Sequence, residues 1–221
     1  MSSLLIVATS NAHKIKEISQ IIGSEFRCIG MRELGQIPEL IECGDTFEAN
    51  ATSKVEQLNR WLEQNSEPRA ILKSHSEILL LADDSGLEVD ALSGAPGVRS
   101  ARFAATEEST GNASDQANNE KLLTLLEDTP DEKRTARFRC VLALLAYPTE
   151  SAAQLFSGSC EGRIASDCQG SGGFGYDPLF YPVGHSLSFA QIGSETKNKI
   201  SHRAQALTQL KNYLATEGGA S

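Results

Sequence analysis

A polar turn at Thr9-Ser10-Asn11-Ala12-His13-Lys14 follows directly on an apolar run and opens a helical pattern. The start of a helix presents unpaired backbone N–H groups and the positive end of the helix dipole, an arrangement that suits phosphate. Lys14 is disfavoured at that end by the dipole alone, and an anion in the turn would compensate it. A capped turn with a solvated lysine accounts for the same residues equally well. The pair Asp83-Asp84, followed by Ser85-Gly86, stands after a second apolar run. Neighbouring residues of a strand point to opposite faces, so the two carboxylates are not expected to chelate together. One should face a ligand while the other is held by its neighbours. A carboxylate there can hold Mg²⁺, which takes one or two protein carboxylates plus substrate phosphates, or it can accept a proton from an attacking water. The plain alternative is an Asp-Gly turn with solvated side chains.

Two later segments add to these. Gly170 to Pro178 contains a literal G-x-G-x-x-G, but no strand precedes it, and Asp177-Pro178 stands where a helix should open, so the dinucleotide reading fails. A Walker A loop is excluded because the chain contains no Gly-Lys pair. The glycines instead allow close backbone approach to a flat ligand, with Phe174 or Tyr176 available for stacking; a surface loop is the simpler account. Lys197-Asn198-Lys199-Ile200-Ser201-His202-Arg203 places Ser201 as a helix N-cap, with His202 and Arg203 in the first turn. Cations at that end again call for an anion or an acceptor, unless the stretch is only a solvated basic run.

The elements that must position these residues follow from apolar periodicity. Leu4 to Ala8 reads as a buried strand and Ile15, Ile18 and Ile22 as one face of a helix capped by Ser10 or Asn11. Phe47, Ala51, Val55, Leu58 and Leu62 mark a second helix. Arg60 to Glu77 reads as a polar excursion and Ile78 to Ala82 as a strand ending at the two aspartates. Ser93 to Gly97 is a turn, Asp115 to Glu127 a third helix, and Arg134 to Tyr147 contains a long strand. Gln154 to Ser157 and Gly162 to Ala165 read as two short strands, and Ser201 to Leu214 as the closing helix. Without strict βαβ alternation, the class is α/β: a mixed sheet with flanking helices, which two lobes around a central cleft would suit, all within one domain over residues 1–221.

Composition narrows the partners. A net charge of −9 over 221 residues argues against nucleic acid polymers and anionic membranes. The opening Met-Ser-Ser-Leu-Leu-Ile-Val-Ala has no basic stretch and too short an apolar run for a signal peptide, and no segment reaches membrane-spanning length. Five cysteines, odd in number and without a C-x-x-C pair, point to reduced thiols in a cytoplasmic protein.

Taken together, the chain resembles the inosine triphosphate pyrophosphatase family, the non-canonical purine nucleoside triphosphate (dITP/XTP) pyrophosphatases. The resemblance runs from Leu4 to about Leu210. It rests on Ala8-Thr9-Ser10-Asn11 with Lys14, Thr46-Phe47 with Asn50-Ala51 and Lys54, and Ala82-Asp83-Asp84-Ser85-Gly86-Leu87. Gly94 to Gly97, Ser100 to Phe103, Gly172 to Pro178 and Ile200 to Arg203 complete it, all in order. It implies a homodimer of two-lobed subunits that hydrolyse ITP, dITP or XTP to the monophosphate and pyrophosphate using Mg²⁺. By position, the resemblance assigns Thr9, Ser10, Asn11, Ala12, His13 and Lys14 to the triphosphate. Asp84 becomes the catalytic carboxylate near the metal, Glu42 a metal ligand, and Ser85 a substrate contact. Phe174, Gly175, Tyr176, Asp177, Lys197, His202 and Arg203 would embrace base and phosphates, with loop N–H groups as donors to the base.

The chain departs from the family in one motif: Thr-Phe-x-Glu-Asn-Ala has Ala49 where the glutamate belongs, with Glu48 one position earlier. Asp45 and Glu48 now have capping-box spacing, so the helix is expected to start one residue sooner. The stretch Leu62 to Glu77 is longer than in typical relatives, and His13 replaces a common glycine. The rivals are a Maf-like pyrophosphatase for modified nucleotides, opposed by Phe174 to Asp177 and Ile200 to Arg203, and a non-catalytic nucleotide sensor, opposed by Asp84, Glu42 and Lys14.

Overall fold

Four consecutive apolar residues, Leu4 to Val7, are fully buried in β1 (Ser3–Val7), the strand from which the sheet grows. In the computed structural model, which describes residues 3–66, 68–106, 111–148 and 151–217, β1 lies between two parallel partners. On one side is β2 (Phe26–Gly30), with Ile6 opposite Ile29; on the other is β3 (Ile78–Val89), with Ile6 opposite Leu80. A strand flanked on both edges and covered on both faces reads as a continuous apolar run, which is why β1 was plain in the sequence. The sheet continues through β4 (Thr135–Ala146), β5 (Gln154–Ile164) and β6 (Phe180–Pro182), in the order β2-β1-β3-β4-β5-β6. β5 and β6 pair antiparallel, so the sheet is mixed and the class is α/β, as expected.

The helices are α1 (Ala12–Ile22), α2 (Phe47–Gln64), a short α3 (Arg69–Lys73), α4 (Asp115–Leu125), α5 (Gly193–Ile200) and α6 (His202–Glu217). The chain divides into two compact units, each assembled from separated segments. Unit 1 comprises residues 1–84, 141–157 and 206–221. Its core joins β1 to Ile18 and Ile22 of α1 and to Phe47, Ala51, Val55, Leu58 and Leu62 of α2. Unit 2 comprises residues 85–140 and 158–205. Its core gathers Leu87, Leu122, Phe138, Ile164, Tyr176, Phe180 and Phe189, with Phe138 edge-on to Phe180 at 4.7 Å.

Several expectations change. Asp83-Asp84-Ser85-Gly86 does not end a strand, because β3 runs through it to Val89. β1 pairs with β3 only as far as Leu81, and β3 continues beyond it as extended backbone in place of the local Asp-Gly turn. Gln154 to Ile164 is one strand, not two. Gly162 lies within it: a Cβ there would collide with the Tyr181 carbonyl and the Phe180 ring of β6, so the glycine permits close strand approach. α2 reaches Gln64 and α3 follows, so much of the expected excursion is helical, although Glu67 falls outside the described residues. The helix also does not start early. Thr46 is its N-cap, accepting from the Ala49 N–H at 3.1 Å, and Glu48 sits in the first turn, where the dipole favours a carboxylate. Among the described residues, no helix is long and apolar enough to cross a membrane.

Candidate active site

In unit 1 the alternation of β3 sends its two aspartates to different lysines. Asp83, fully buried, pairs with Lys14 of α1 at 2.5 Å. Asp84 pairs with Lys54 of α2 at 3.0 Å, and the same ammonium reaches Glu42 at 2.7 Å and the Asp83 carbonyl at 2.8 Å. Lys54 is only 5% exposed, and its three donors meet three oxygens. Burial works against its charge, yet Asp84 and Glu42 hold the ammonium above its ordinary pKa. Burial likewise pushes the Asp84 carboxyl upward, against the pull of Lys54 and Lys14, while Glu42 adds to the rise. Asp84 Oδ2 is buried and has no hydrogen-bond partner among the described residues. A buried acceptor left open in this way is costly and points to a bound species.

That open oxygen is the observation that bears on a metal. Among the described residues no cluster of three or more His, Cys, Asp or Glu side chains could cage an ion, which disfavours zinc and all-protein calcium sites. Mg²⁺ asks for less: one or two carboxylates, the remaining positions going to water and phosphate. Asp84 and Glu42, two hydrogen bonds apart across Lys54, fit that requirement.

The turn before α1 is more self-contained than its sequence suggested. Asn11 is the cap, and its Oδ1 accepts from the N–H groups of His13 at 2.9 Å and Lys14 at 3.3 Å, while Thr9 Oγ1 accepts from the Asn11 N–H. Those three amides therefore serve the turn. An anion here would rely on side chains: Ser10 and His13 are exposed, Ala12 offers only backbone, and the Lys14 side chain is partly exposed.

Unit 2 assembles a second set. Lys197 of α5 pairs with Asp177 at 2.6 Å, both nearly fully buried, and Lys197 lies 4.8 Å over the Phe174 ring. Arg203, 1% exposed, donates to Ser85 Oγ at 2.8 Å and lies 5.9 Å from the same ring. His202 stacks on Phe138 at 4.8 Å. Ser201 caps α6 through the Ala204 N–H, as the sequence indicated. The glycine loop is fixed from within: the Phe174 N–H donates to Asp177, the Gly175 N–H to Asp115, and the Gly172 N–H to the Ala190 carbonyl. Gly173, at φ +72°, has no room for a Cβ against the Asp177 carboxylate. The Gly172, Phe174 and Gly175 amides are thus engaged by the protein itself, and the cationic side chains are further donors at this cluster. Tyr176 also moves out of the stacking role. Its ring is in the core, its hydroxyl donates to the Ser100 carbonyl at 2.9 Å, and burial raises its pKa, with Asp115 adding to the rise. Phe174, half-buried, is the ring left for stacking.

Sequence reasoning gave no role to Lys54, Asn50, Gln57, Asp115 or Asn119. The signal for the first two was present: Asn50 and Lys54 fall on the apolar stripe of α2, and a polar residue on such a stripe needs a buried partner.

A mixed-sheet α/β protein with a lysine-bridged carboxylate pair in one unit and a cation–aromatic cluster in the other is of a nucleotide-handling class. The chain belongs to the Ham1 family, whose sequence model matches residues 5–213. It is 43% identical to the dITP/XTP pyrophosphatase of Porphyromonas gingivalis over 210 residues, 95% of this chain and 96% of that protein. Among solved structures it resembles a HAM1 protein from Coxiella burnetii, with a TM-score of 0.77 and 34% identity, covering 98% of this chain and all of that one. The Staphylococcus aureus Ham1 protein aligns with a TM-score of 0.74 at 36% identity, over 97% of this chain and 99% of the other.

Proposed function

We propose that this chain hydrolyses non-canonical purine nucleoside triphosphates such as dITP, XTP and ITP to the monophosphate and pyrophosphate, with Mg²⁺ as cofactor. The open, buried Oδ2 of Asp84 beside Lys54 and Glu42 carries this reading, and the names of the relatives support the substrate class. Asp84 and Glu42 would hold the ion, which supplies charge neutralisation on the phosphates when bound. Asp84, its proton affinity raised by burial, accepts the proton of the attacking water. The water oxygen bonds to the α-phosphorus, the bond to the bridging oxygen breaks, and the electron pair leaves with pyrophosphate. Lys54 keeps Asp84 oriented, and Lys14, with Ser10 and His13, provides cationic and polar contacts to the phosphates. Phe174 stacks on the base, while Lys197, His202, Arg203 and Ser85 supply its polar contacts. On the family resemblance we assign a homodimer and a cytoplasmic location. Product analysis with dITP and Mg²⁺ should give monophosphate and pyrophosphate in equal amounts. Diphosphate with orthophosphate would overturn the mechanism, and absence of turnover would favour a nucleotide sensor.

A further inference from the structure

Glu42 lies in a segment without regular structure, between a single 3-10 turn at Met31–Leu34 and the start of α2. An isolated irregular loop is a poor platform for a metal ligand, because each ligand must be held within a fraction of an ångström. α2 supplies the platform. Asn50, Lys54 and Gln57 are spaced i, i+4 and i+7, so they share one helix face. Each grips a different residue of the loop. Gln57 takes both backbone groups of Ile41: its Oε1 accepts from the Ile41 N–H and its Nε2 donates to the Ile41 carbonyl, both at 2.9 Å. Lys54 takes the Glu42 carboxylate, and Asn50 Oδ1 accepts from the Gly44 N–H at 2.8 Å. A Cβ at Gly44 would press to 2.8 Å on both Asn50 Oδ1 and Ala49 Cβ, so the loop lies directly on the helix. Gln57 is itself braced, its Nε2 also meeting the Ser53 hydroxyl at 3.0 Å.

We propose that Gln57 is a positioning residue that locks the Ile41–Gly44 segment onto α2 and thereby sets the affinity of the Glu42–Asp84 pair for a divalent cation. The inference rests on the metal assignment given above. Gln57 touches neither substrate nor ion. It acts through the peptide next to Glu42, in the manner of a single β-bridge made by a side chain. Lys54 holds the carboxylate end of Glu42. The two Gln57 bonds fix the backbone on one side and Asn50 fixes it on the other.

Gln57→Met removes both bonds while keeping side-chain length and helix propensity. Two measurements on the metal-free full-length protein decide the matter: amide hydrogen exchange at residues 41–44, and Mn²⁺ affinity by calorimetry. Glu56→Gln, on the exposed face of α2, serves as the control. Faster exchange at Ile41 and Mn²⁺ binding weakened several-fold in Gln57→Met, with Glu56→Gln like the wild type, would support the proposal. Unchanged exchange would overturn it, as would faster exchange with unchanged Mn²⁺ affinity. Glu42→Gln separates the two levels. If that variant binds Mn²⁺ as the wild type does, the metal assignment itself is wrong and the inference falls with it. If Glu42→Gln loses affinity and Gln57→Met does not, only the positioning role is refuted.

Discussion

Asp83 and Asp84 are chemically identical neighbours in opposite situations. Asp83 has no exposure and a lysine at 2.5 Å; its carboxylate is committed to holding Lys14. Asp84 shares Lys54 with Glu42 and keeps an oxygen open. Asp84→Asn replaces that oxygen's basicity with an amide and should lower kcat by about two orders of magnitude or more, the scale of losing a general base. Nucleotide affinity should change much less, and the Mg²⁺ requirement should rise. Asp83→Asn should reduce kcat less, because an amide oxygen can still accept from Lys14. Steady-state kinetics on both variants test the assignment; a larger loss of kcat at Asp83 would reverse the faces. At this scale the sequence was partly legible. Strand alternation separated the two carboxylates, but nothing local disclosed which lysine each would meet, since Lys14 and Lys54 lie 69 and 30 positions away.

Elements were legible where one periodicity dominated. β1 and α2 announced themselves through apolar patterning, and α1 through its cap. Failures came where a strand continued through residues that locally favour a turn or a break, as at Asp83-Asp84-Ser85-Gly86 within β3 and at residues 158–161 within β5. The glycine loop shows a different limit. Its shape depends on α4, whose Asp115 accepts from the Gly175 N–H at 2.6 Å and whose Asn119 donates to the Gly175 carbonyl at 3.0 Å. Such a clamp across 60 positions leaves no mark in a single sequence. Asn119→Leu removes one side of it without adding bulk to the loop. The loss of one ordinary hydrogen bond, about 1 kcal/mol, should raise KM for dITP roughly fivefold. It should leave kcat nearly unchanged, because the carboxylates of unit 1 are untouched. A fall in kcat with constant KM would show that α4 does not act through base recognition.

For the whole molecule the governing contrast is between a net charge of −9 and buried cations in each unit: Lys54 in unit 1, Lys197 and Arg203 in unit 2, each at most 5% exposed. An acidic surface disfavours polyanions, and these cations are matched by protein oxygens of Asp84, Glu42, Asp177 and Ser85, a setting that suits the free nucleotide proposed above better than a nucleic acid. On the proposed site, base selectivity would follow from the chemistry of unit 2. Hypoxanthine and xanthine carry a 6-oxo acceptor where adenine carries a 6-amino donor. Lys197, Arg203 and His202 supply donors, and the loop amides at Phe174 and Gly175 are already engaged. Facing adenine, side-chain donors would meet another donor in a largely dry setting. Polar mismatches of that kind discriminate by factors on the order of 10⁴ when the unmatched groups are rigid. Lysine and arginine side chains can reorient, so a ratio somewhat below that is expected for ITP over ATP. Guanine keeps the 6-oxo group and must be refused at its 2-amino group, a weaker lever that should leak more. The proposed assignments give no residue to the 2′-hydroxyl, so ITP and dITP should be hydrolysed alike. Comparing kcat/KM for ITP, dITP, XTP, GTP and ATP at saturating Mg²⁺ measures each of these ratios. Equal values for ATP and ITP would refute recognition by donors and place the selectivity outside the Phe174, Lys197 and Arg203 cluster.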